Sequence, residues 1–557
     1  MPDQSNKIYA PLSQAMDSET ESNNATMNDC SIGSLSTLEA DDQHQLMMIS
    51  GKLGKRGMSP GRKLCFISSI VILLGLVMIF LFVLPCPEHG KCRGNGDSMS
   101  WVKDYDKLEM RGPVNVIKRR MTDRIETSLI FMYKRDKFID PLVKVNPKPN
   151  GIISMLSKTG KISWFAEMKV EPRYTNCSII DVDLDGEMDC LIVDAFGQLS
   201  TLKSISGTWI WQTLEAKNGK IPEPFEELFN FPLLLPDLNG DKVNELLHIF
   251  SSDSNIQNSF SLLSGKTGKL IGNPITVDEC RFIFKLELAE MYTIRYSCMN
   301  ATAVYTKQIG LSELYSALTK SKIGLGYLNS TNSIPQFRYD HELPFKSNST
   351  LQHLSLIIEN TGKCPENCNS SIQLFDNTRT GDENLLYNFT GSNMYTHFPE
   401  PLTFVKAKPH TYGFVFKYLQ WSNKEDNNHI VSLLRKIENT IAIRFNVTVR
   451  LLKETVVLVA FTNSHDLIIE NTSQSHVMQF CRNDTNTCQP KINSLDNSLL
   501  IADLDDDGSK ELLTFYSTFS VQNNNKEHVL KTYVQLLDLE HELPKLYEAD
   551  KKRRRRK

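Results

Sequence analysis

Three times in this chain an acidic loop of one fixed spacing runs directly into an apolar strand. The first is Asp181-Val-Asp183-Leu-Asp185-Gly186-Glu-Met-Asp189, continuing as CLIVD; the second is Asp237-Leu-Asn239-Gly-Asp241-Lys-Val-Asn-Glu245, continuing as LLHIF. The third is Asp503-Leu-Asp505-Asp-Asp507-Gly508-Ser-Lys-Glu511, continuing as LLTFY. A hard divalent cation such as Ca2+ takes six to eight oxygens, and a tight loop aims the side chains of positions 1, 3 and 5 at one point while position 7 supplies a carbonyl. An EF-hand closes with Glu at position 12 on a helix. Here the last carboxylate is at position 9 and a strand follows, so these are not EF-hands. A single loop of this kind reads equally well as a solvated turn, because turns use Asp, Asn and Gly anyway. Three with one spacing argue for structural Ca2+ sites, with the loop at 237 set apart by Lys242 where the others carry glycine. With or without metal, each loop still turns the chain into its strand.

The rest of the chain obeys the same rhythm. Short segments rich in β-branched and aromatic residues, such as SLIFMY, GFVFKYL, TVVLVAF and TYVQLLDL, alternate with Gly, Asn, Asp and Pro, and long 3.6-residue periodicity is scarce. The pattern is all-β. The first two loops begin 56 residues apart, and a degenerate copy at RRMTDRIETSLIFMYK keeps Asp123 and the strand alone. Between loops recur LSKTGKISW at 156–164, SISGTWIW at 204–211 and LLSGKTGKLIG at 262–272, each a strand, a glycine-containing turn and a return strand. A chain of 557 residues exceeds one ordinary core. Units of 50 to 60 residues predict a β-propeller of seven or eight blades over residues 101–548, which buries its sheet edges by closing radially.

Ahead of that domain lies LCFISSIVILLGLVMIFLFVL, residues 64–84, without a charge and long enough at 1.5 Å per residue to cross about 30 Å of hydrocarbon. Lys52, Lys55, Arg56, Arg62 and Lys63 precede it, which places the N-terminus in the cytosol. Residues 1–63 read as a disordered cytosolic tail, 85–100 as an extracytosolic linker and 549–557 as a basic tail. Tyr9 and Leu12 have the spacing of a tyrosine-based sorting signal for trafficking adaptors, though four-residue motifs arise easily. Ten cysteines follow the span as neighbours: Cys86 and Cys92, Cys177 and Cys190, Cys280 and Cys298, Cys364 and Cys368, Cys481 and Cys488. They suit disulfides in an oxidising compartment. The alternative is that some are buried thiols, Cys177 and Cys190 first among them. Asn176, Asn300, Asn329, Asn348, Asn369, Asn388, Asn446, Asn471 and Asn483 begin N-x-S/T sequons on the same side.

The D-x-[DN]-x-D-G loop before a buried strand resembles the FG-GAP repeat of integrin alpha chains, and the S-G-K-T-G-K hairpin resembles the quinoprotein-type propeller repeat. A tail, one span ending in LPCP and both repeat kinds together resemble family with sequence similarity 234, also described as integrin alpha FG-GAP repeat containing proteins. The resemblance covers most of the chain after residue 64 and is weakest at about 280–480. It implies a single-pass membrane β-propeller, with calcium positions carried over only to the three loops named above.

Other functions fit less well. A net charge of −3 supplies no basic face for nucleic acid. A type II Golgi glycosyltransferase shares the orientation and uses a D-x-D metal site, but it needs one such motif at the end of a strand in an α/β sheet. A quinoprotein-like dehydrogenase would need an axial cofactor pocket. No G-x-S-x-G, H-E-x-x-H or phosphate-cradling glycine loop occurs, and the 12 histidines form no ligand pair. The expectation is a non-catalytic, glycosylated type II membrane protein at the cell surface or in the secretory pathway. Its propeller binds a protein partner outside the cytosol, as an adhesion- or receptor-like module.

Overall fold

Of the 557 residues, the computed structural model describes 99–120, 125–136, 150–213, 231–253, 256–289, 292–300, 303–322, 346–365, 367–378, 384–397, 399–403, 411–422, 447–461, 467–482, 487–491, 498–522 and 527–543. The apolar run 64–84, Tyr9, Leu12, Cys86, Cys92, Asp123, Asn329, Asn446, Asn483 and the basic tail lie outside the described residues. Among the described residues, no helix is long and apolar enough to cross a membrane.

The described chain is laid out as successive sheets, all but the last built from consecutive strands. The first sheet holds Leu108–Arg120, Ile125–Arg135, Asn150–Leu156 and Ile162–Met168. The second holds Pro172–Ile180, Asp189–Asp194, Leu199–Leu202 and Trp209–Gln212. A larger third sheet runs from Leu233–Leu235 through Glu245–Asp253, Ile256–Leu263, Ile275–Thr276, Phe282–Ala289 and Thr293–Met299 to Val304–Gly310. Its two halves meet through one parallel pair, Gln257 with Phe282; the other strand pairings described are antiparallel. The fourth sheet contains Lys346–Leu351, Leu354–Lys363, Asn367–Asp376 and Leu385–Ser392. The fifth is built on Tyr412–Trp421, Val447–Phe461 and Leu467–Arg482. In the last sheet Leu499–Ala502, Glu511–Gln522 and Glu527–Asp538 are joined by Trp101–Asp106 from the far end of the domain. Its register sets Trp101 against Leu536 and Asp106 against Lys531, so the N-terminal strand completes the C-terminal sheet. An edge that would otherwise be open is thereby paired.

Each strand sits where its pattern of apolar residues requires. Asp189–Asp194, read as DCLIVD, is buried along its whole length, whereas Asn367–Asp376 buries alternate residues and turns the others outward. Successive sheets then pack face to face. Phe131, Tyr133 and Ile153 of the first sheet share a core with Leu513, Phe515 and Val534 of the closing sheet. There Phe131 meets Phe515 edge-on at 5.3 Å. Ile130, Met132 and Ile152 pack on Cys190, Ile192 and Leu202 of the second sheet, and Leu191 and Val193 pack on Leu234, Leu246 and Leu263 of the third. Across the domain, the fourth sheet packs on the fifth through Leu356, Ile372 and Leu374 against Phe414, Phe416 and Val459. The fifth packs on the closing sheet through Val456 and Leu458 against Leu512 and Leu537. No such core among the described residues joins the third sheet to the fourth.

The glycine-containing hairpins link neighbouring sheets. In each, the glycine N–H closes a turn onto the residue four back (Gly160 to Leu156, Gly207 to Lys203, Gly268 to Ser264), with φ between 63° and 70°. Trp101 of the closing sheet covers Gly160 of the first, Trp164 of the first covers Gly207 of the second, and Trp211 of the second covers Gly268 of the third. A Cβ on these glycines would lie 2.7, 2.4 and 2.3 Å from the respective indole. The indole N–H of Trp101 also donates to Ser157 O at 2.6 Å, and that of Trp211 to Gly265 O at 2.8 Å. Each fourth strand thus hands a tryptophan to the next sheet's turn.

Four of the expected cysteine pairs are disulfides: Cys177–Cys190, Cys280–Cys298, Cys364–Cys368 and Cys481–Cys488. Cys177 and Cys190 are therefore not buried free thiols. The helix Leu311–Thr319 was not expected from the all-β pattern; it buries Leu311, Leu314 and Leu318, a stripe at helical spacing too short to stand out among strands.

Candidate metal centres

Each acidic loop connects the first and second strands of its sheet: the second sheet for 181–189, the third for 237–245, the closing sheet for 503–511. The following strand is among the most buried of that sheet, which holds the last carboxylate of the loop inside. All three loops carry one hydrogen-bond ladder. The position 1 carboxylate accepts from the position 6 N–H: Gly186 to Asp181 at 2.9 Å, Lys242 to Asp237 at 2.8 Å, Gly508 to Asp503 at 3.1 Å. Position 5 accepts from position 7: Glu187 to Asp185 at 3.0 Å, Val243 to Asp241 at 2.9 Å, Ser509 to Asp507 at 2.6 Å. Position 9 accepts from position 2: Val182 to Asp189 at 2.8 Å, Leu238 to Glu245 at 2.6 Å, Leu504 to Glu511 at 2.5 Å. Asn239 accepts from Asp241 N–H at 2.9 Å, as Asp183 and Asp505 do in their loops.

The apparent exception at Lys242 disappears in the backbone. Every loop has left-handed residues at positions 4 and 6: Leu184 (φ 60°) and Gly186 (φ 90°), Gly240 (φ 86°) and Lys242 (φ 71°), Asp506 (φ 64°) and Gly508 (φ 84°). In the middle loop the glycine has moved from position 6 to position 4. The path is the same; the cost of one left-handed non-glycine residue falls on a different position.

These ladders gather the carboxylates. Asp181, Asp183 and Asp189 have ligand oxygens within 4.8 Å of one another, as do Asp237, Asp241 and Glu245, and Asp503, Asp505 and Glu511. Asp185 and Asp507 stand outside the triads, Asp507 engaged by the Ser509 N–H. Glu245 and Glu511 are 0 % and 1 % exposed, and in each the second oxygen, Oε1, has no hydrogen-bond partner. A buried carboxylate in that condition is costly. Burial, reinforced by the neighbouring aspartates, pushes both up to about 8 and Asp189 up to about 6. A divalent cation at the centre of each cluster would supply what is missing, and hard carboxylate oxygens are the donors Ca2+ prefers. The loops at 237 and 503 fit this description.

The loop at 181 differs. Lys203, four residues before the hairpin glycine Gly207, forms an ion pair with Asp183 and another with Asp185 at 3.3 Å. Its ammonium already neutralises part of the acidic loop. Hydrogen bonds to these two carboxylates raise the lysine further, and Asp185 is held below the usual range, chiefly by the Glu187 N–H and then by Lys203. The sequence pattern of the loop alone does not reveal this lysine, because it opens the hairpin turn that follows Leu199–Leu202.

Residues 150–359 match the family model described as the FAM234A/B beta-propeller, a stretch containing the loops at 181 and 237. The chain is similar to Protein FAM234B of Gallus gallus, 21% identical over 224 residues that cover 38% of this chain and 32% of that protein. It is likewise similar to Protein FAM234A of Mus musculus, 20% identical over 226 residues that cover 38% of each. The match thus spans about a third of the length of these relatives. Among solved structures, a Mycobacterium tuberculosis puromycin-hydrolyzing peptidase aligns over 62% of this chain and 58% of its own at 9% identity with a TM-score of 0.19, a likeness that carries no argument. The resemblance to family 234 holds at the level of its propeller domain.

Proposed function

We propose that the chain is a single-pass type II membrane glycoprotein whose β-propeller lies outside the cytosol and acts as a non-catalytic protein-interaction or adhesion module. In this reading residues 64–84 cross the bilayer, and the sheets form seven blades, the third sheet counting as two. What supports seven is the single parallel pair at which that sheet's halves meet, together with its two runs of antiparallel strands. The acidic loops hold Ca2+ through Asp181, Asp183 and Asp189, through Asp237, Asp241 and Glu245, and through Asp503, Asp505 and Glu511. Bound there, the cation supplies charge neutralisation and rigidity to turns.

The observation that carries a structural rather than catalytic role is the hydrogen-bond ladder. The loop carboxylates accept from the N–H groups of their own turn, and of the three left with a bare oxygen, Asp181, Glu245 and Glu511, the two glutamates are buried away from any approaching substrate. A D-x-D transferase instead presents its metal to a nucleotide sugar. The test is thermal unfolding of the ectodomain in Ca2+ and in EDTA. Saturation at a hundred times Kd contributes about 2.7 kcal/mol per site, so chelation lowers the melting temperature. An unchanged melting curve overturns the metal reading, and sugar-nucleotide turnover by the same preparation overturns the non-catalytic one.

A further inference from the structure

We infer that the outward face of the fourth sheet is a glycan-bearing face, modified at Asn348, Asn369 and Asn388 together, and that partners dock elsewhere on the domain. This rests on the extracytosolic placement proposed above. The argument begins with strand geometry. Along a strand, residues i and i+2 point to the same side, so a sequon N-x-S/T inside a strand presents its acceptor amide and its hydroxyl on one face. Whether it can be used in the folded protein depends on which face that is.

In the fourth sheet the register settles the matter. Asn348 pairs with Ile357, Ile357 with Gln373, and Gln373 with Asn388, so one row across all four strands carries two of the acceptors. Asn369 lies four residues before Gln373, on the same side, and pairs with Thr361 and Ser392. All three asparagines are exposed. Two steps of the pleat and three strand spacings separate them, about 13 Å along the strands and about 14 Å across, which leaves room for three chains. The opposite face carries Leu354, Leu356, Ile358, Ile372 and Leu374, each no more than 1 % exposed, and packs on the fifth sheet.

The outward face, by contrast, is mostly polar, with Ile357 and Phe375 half-buried among its hydroxyls and amides. Glu359, Thr361, Ser371, Thr390 and Ser392 line a shallow groove beside Asn369. Among the described residues, the apolar core that the fourth sheet shares with a neighbour lies on its other face, against the fifth sheet. A mostly polar sheet face whose three acceptor asparagines are exposed among the described residues is compatible with water and with hydrophilic glycan. The Cys364–Cys368 disulfide closes the turn between its two central strands and fixes that hairpin.

The same criterion rejects another sequon. Asn176 is 1 % exposed, and its carbonyl oxygen accepts from both the N–H and the hydroxyl of Ser178 at 2.9 Å. A glycan at Asn176 would prevent the strand from seating against its neighbours, so this site stays unmodified.

The experiment expresses the full chain in mammalian cells, releases N-glycans with peptide-N-glycosidase in 18O water and maps the labelled asparagines by mass spectrometry. The expected result is label at Asn348, Asn369 and Asn388 and none at Asn176. Thr350→Ala, Ser371→Ala and Thr390→Ala should each remove one glycan's worth of mobility on a gel. Label at Asn300 or Asn471 with any of the three fourth-sheet sites empty overturns the face assignment and leaves the topology standing. Label at Asn176 overturns the burial criterion. No label at any sequon, with the domain digested by protease added to sealed vesicles, overturns the topology and this inference with it.

Discussion

Replacing Gly207 by alanine should cost more than replacing Gly186 by alanine, and the excess should vanish when Trp164 is shortened. Both glycines have positive φ, 70° and 90°, so an alanine at either position bears left-handed strain of about 1–2 kcal/mol. At Gly186 nothing lies within 4 Å of the new Cβ, and the cost ends there. At Gly207 the Cβ falls 2.4 Å from Cε3 and 2.6 Å from Cδ2 of Trp164, which fills the space between the first and second sheets. The ring has to move, and overpacking of this kind adds about 1–3 kcal/mol. Gly207→Ala therefore destabilises by roughly 2–5 kcal/mol against about 1–2 for Gly186→Ala. Guanidinium unfolding of the β-sheet domain in EDTA measures both without a contribution from metal. In the Trp164→Ala background, Gly207→Ala should fall back to the cost of strain alone, a coupling of about 2 kcal/mol in the double-mutant cycle. Equal costs for the two glycines, or a coupling near zero, would refute the claim that the tryptophans lock one sheet to the next.

Lys242→Gly should stabilise the domain by about 0.5 kcal/mol, because relief of left-handed strain exceeds the added freedom of the unfolded chain; a loss of stability in the same unfolding assay would contradict the backbone reading. His248 is fully buried and its Nε2 meets Gly197 O at 2.8 Å, so the ring is neutral with Nε2–H donating; burial pushes it down to about 4. The unfolded chain then binds the proton first, and stability falls as pH drops from 6.5 toward 4, by about 2.5 kcal/mol at pH 4.5. Unfolding curves of wild type and His248→Gln at pH 7 and 4.5 should differ by that amount, and an identical acid response would exclude His248 as its source. Lys203→Ala should tighten cation binding at the 181 loop about fivefold in a terbium luminescence titration, whereas unchanged affinity would show that the ammonium does not compete there.

Much of the architecture could be read along the chain because the same local problem is solved repeatedly. The loops at 181, 237 and 503 must place carboxylates on alternate residues and then dive into a sheet, and both requirements leave marks at fixed spacing. The hairpins leave a mark too, but its meaning lay between sheets. Gly160 is followed four residues later by Trp164, and Gly207 by Trp211, so each turn receives one tryptophan and sends the next. At Gly268 the position four residues on is Gly272, and the relay ends as the chain enters the second half of the third sheet. A tryptophan at that spacing is a visible signal; that its target is the following turn is a tertiary fact. Lys203 was hidden for the same reason, since its contact with Asp183 joins the acidic loop to a separate hairpin turn.

The region without acidic loops shows what the repeat does for the sheets that possess it. In the second, third and closing sheets the first strand is short, three to nine residues, and the turn after it is held by the carboxylate ladder. The fourth and fifth sheets lack the ladder, and the fifth is organised by long strands instead: Val447–Phe461 and Leu467–Arg482 pair along nearly their whole length. A fifteen-residue strand needs no special turn chemistry to fix its register, because shifting it by one would carry Val457, Val459 and Phe461 out of the core they share with the fourth sheet. That is why the stretch from about 280 to 480 bears so little resemblance to the acidic repeats while building sheets of the same kind. Its pairing is specified by the alternation of buried residues, which many sequences satisfy, and the acidic sheets are specified by a turn, which few do.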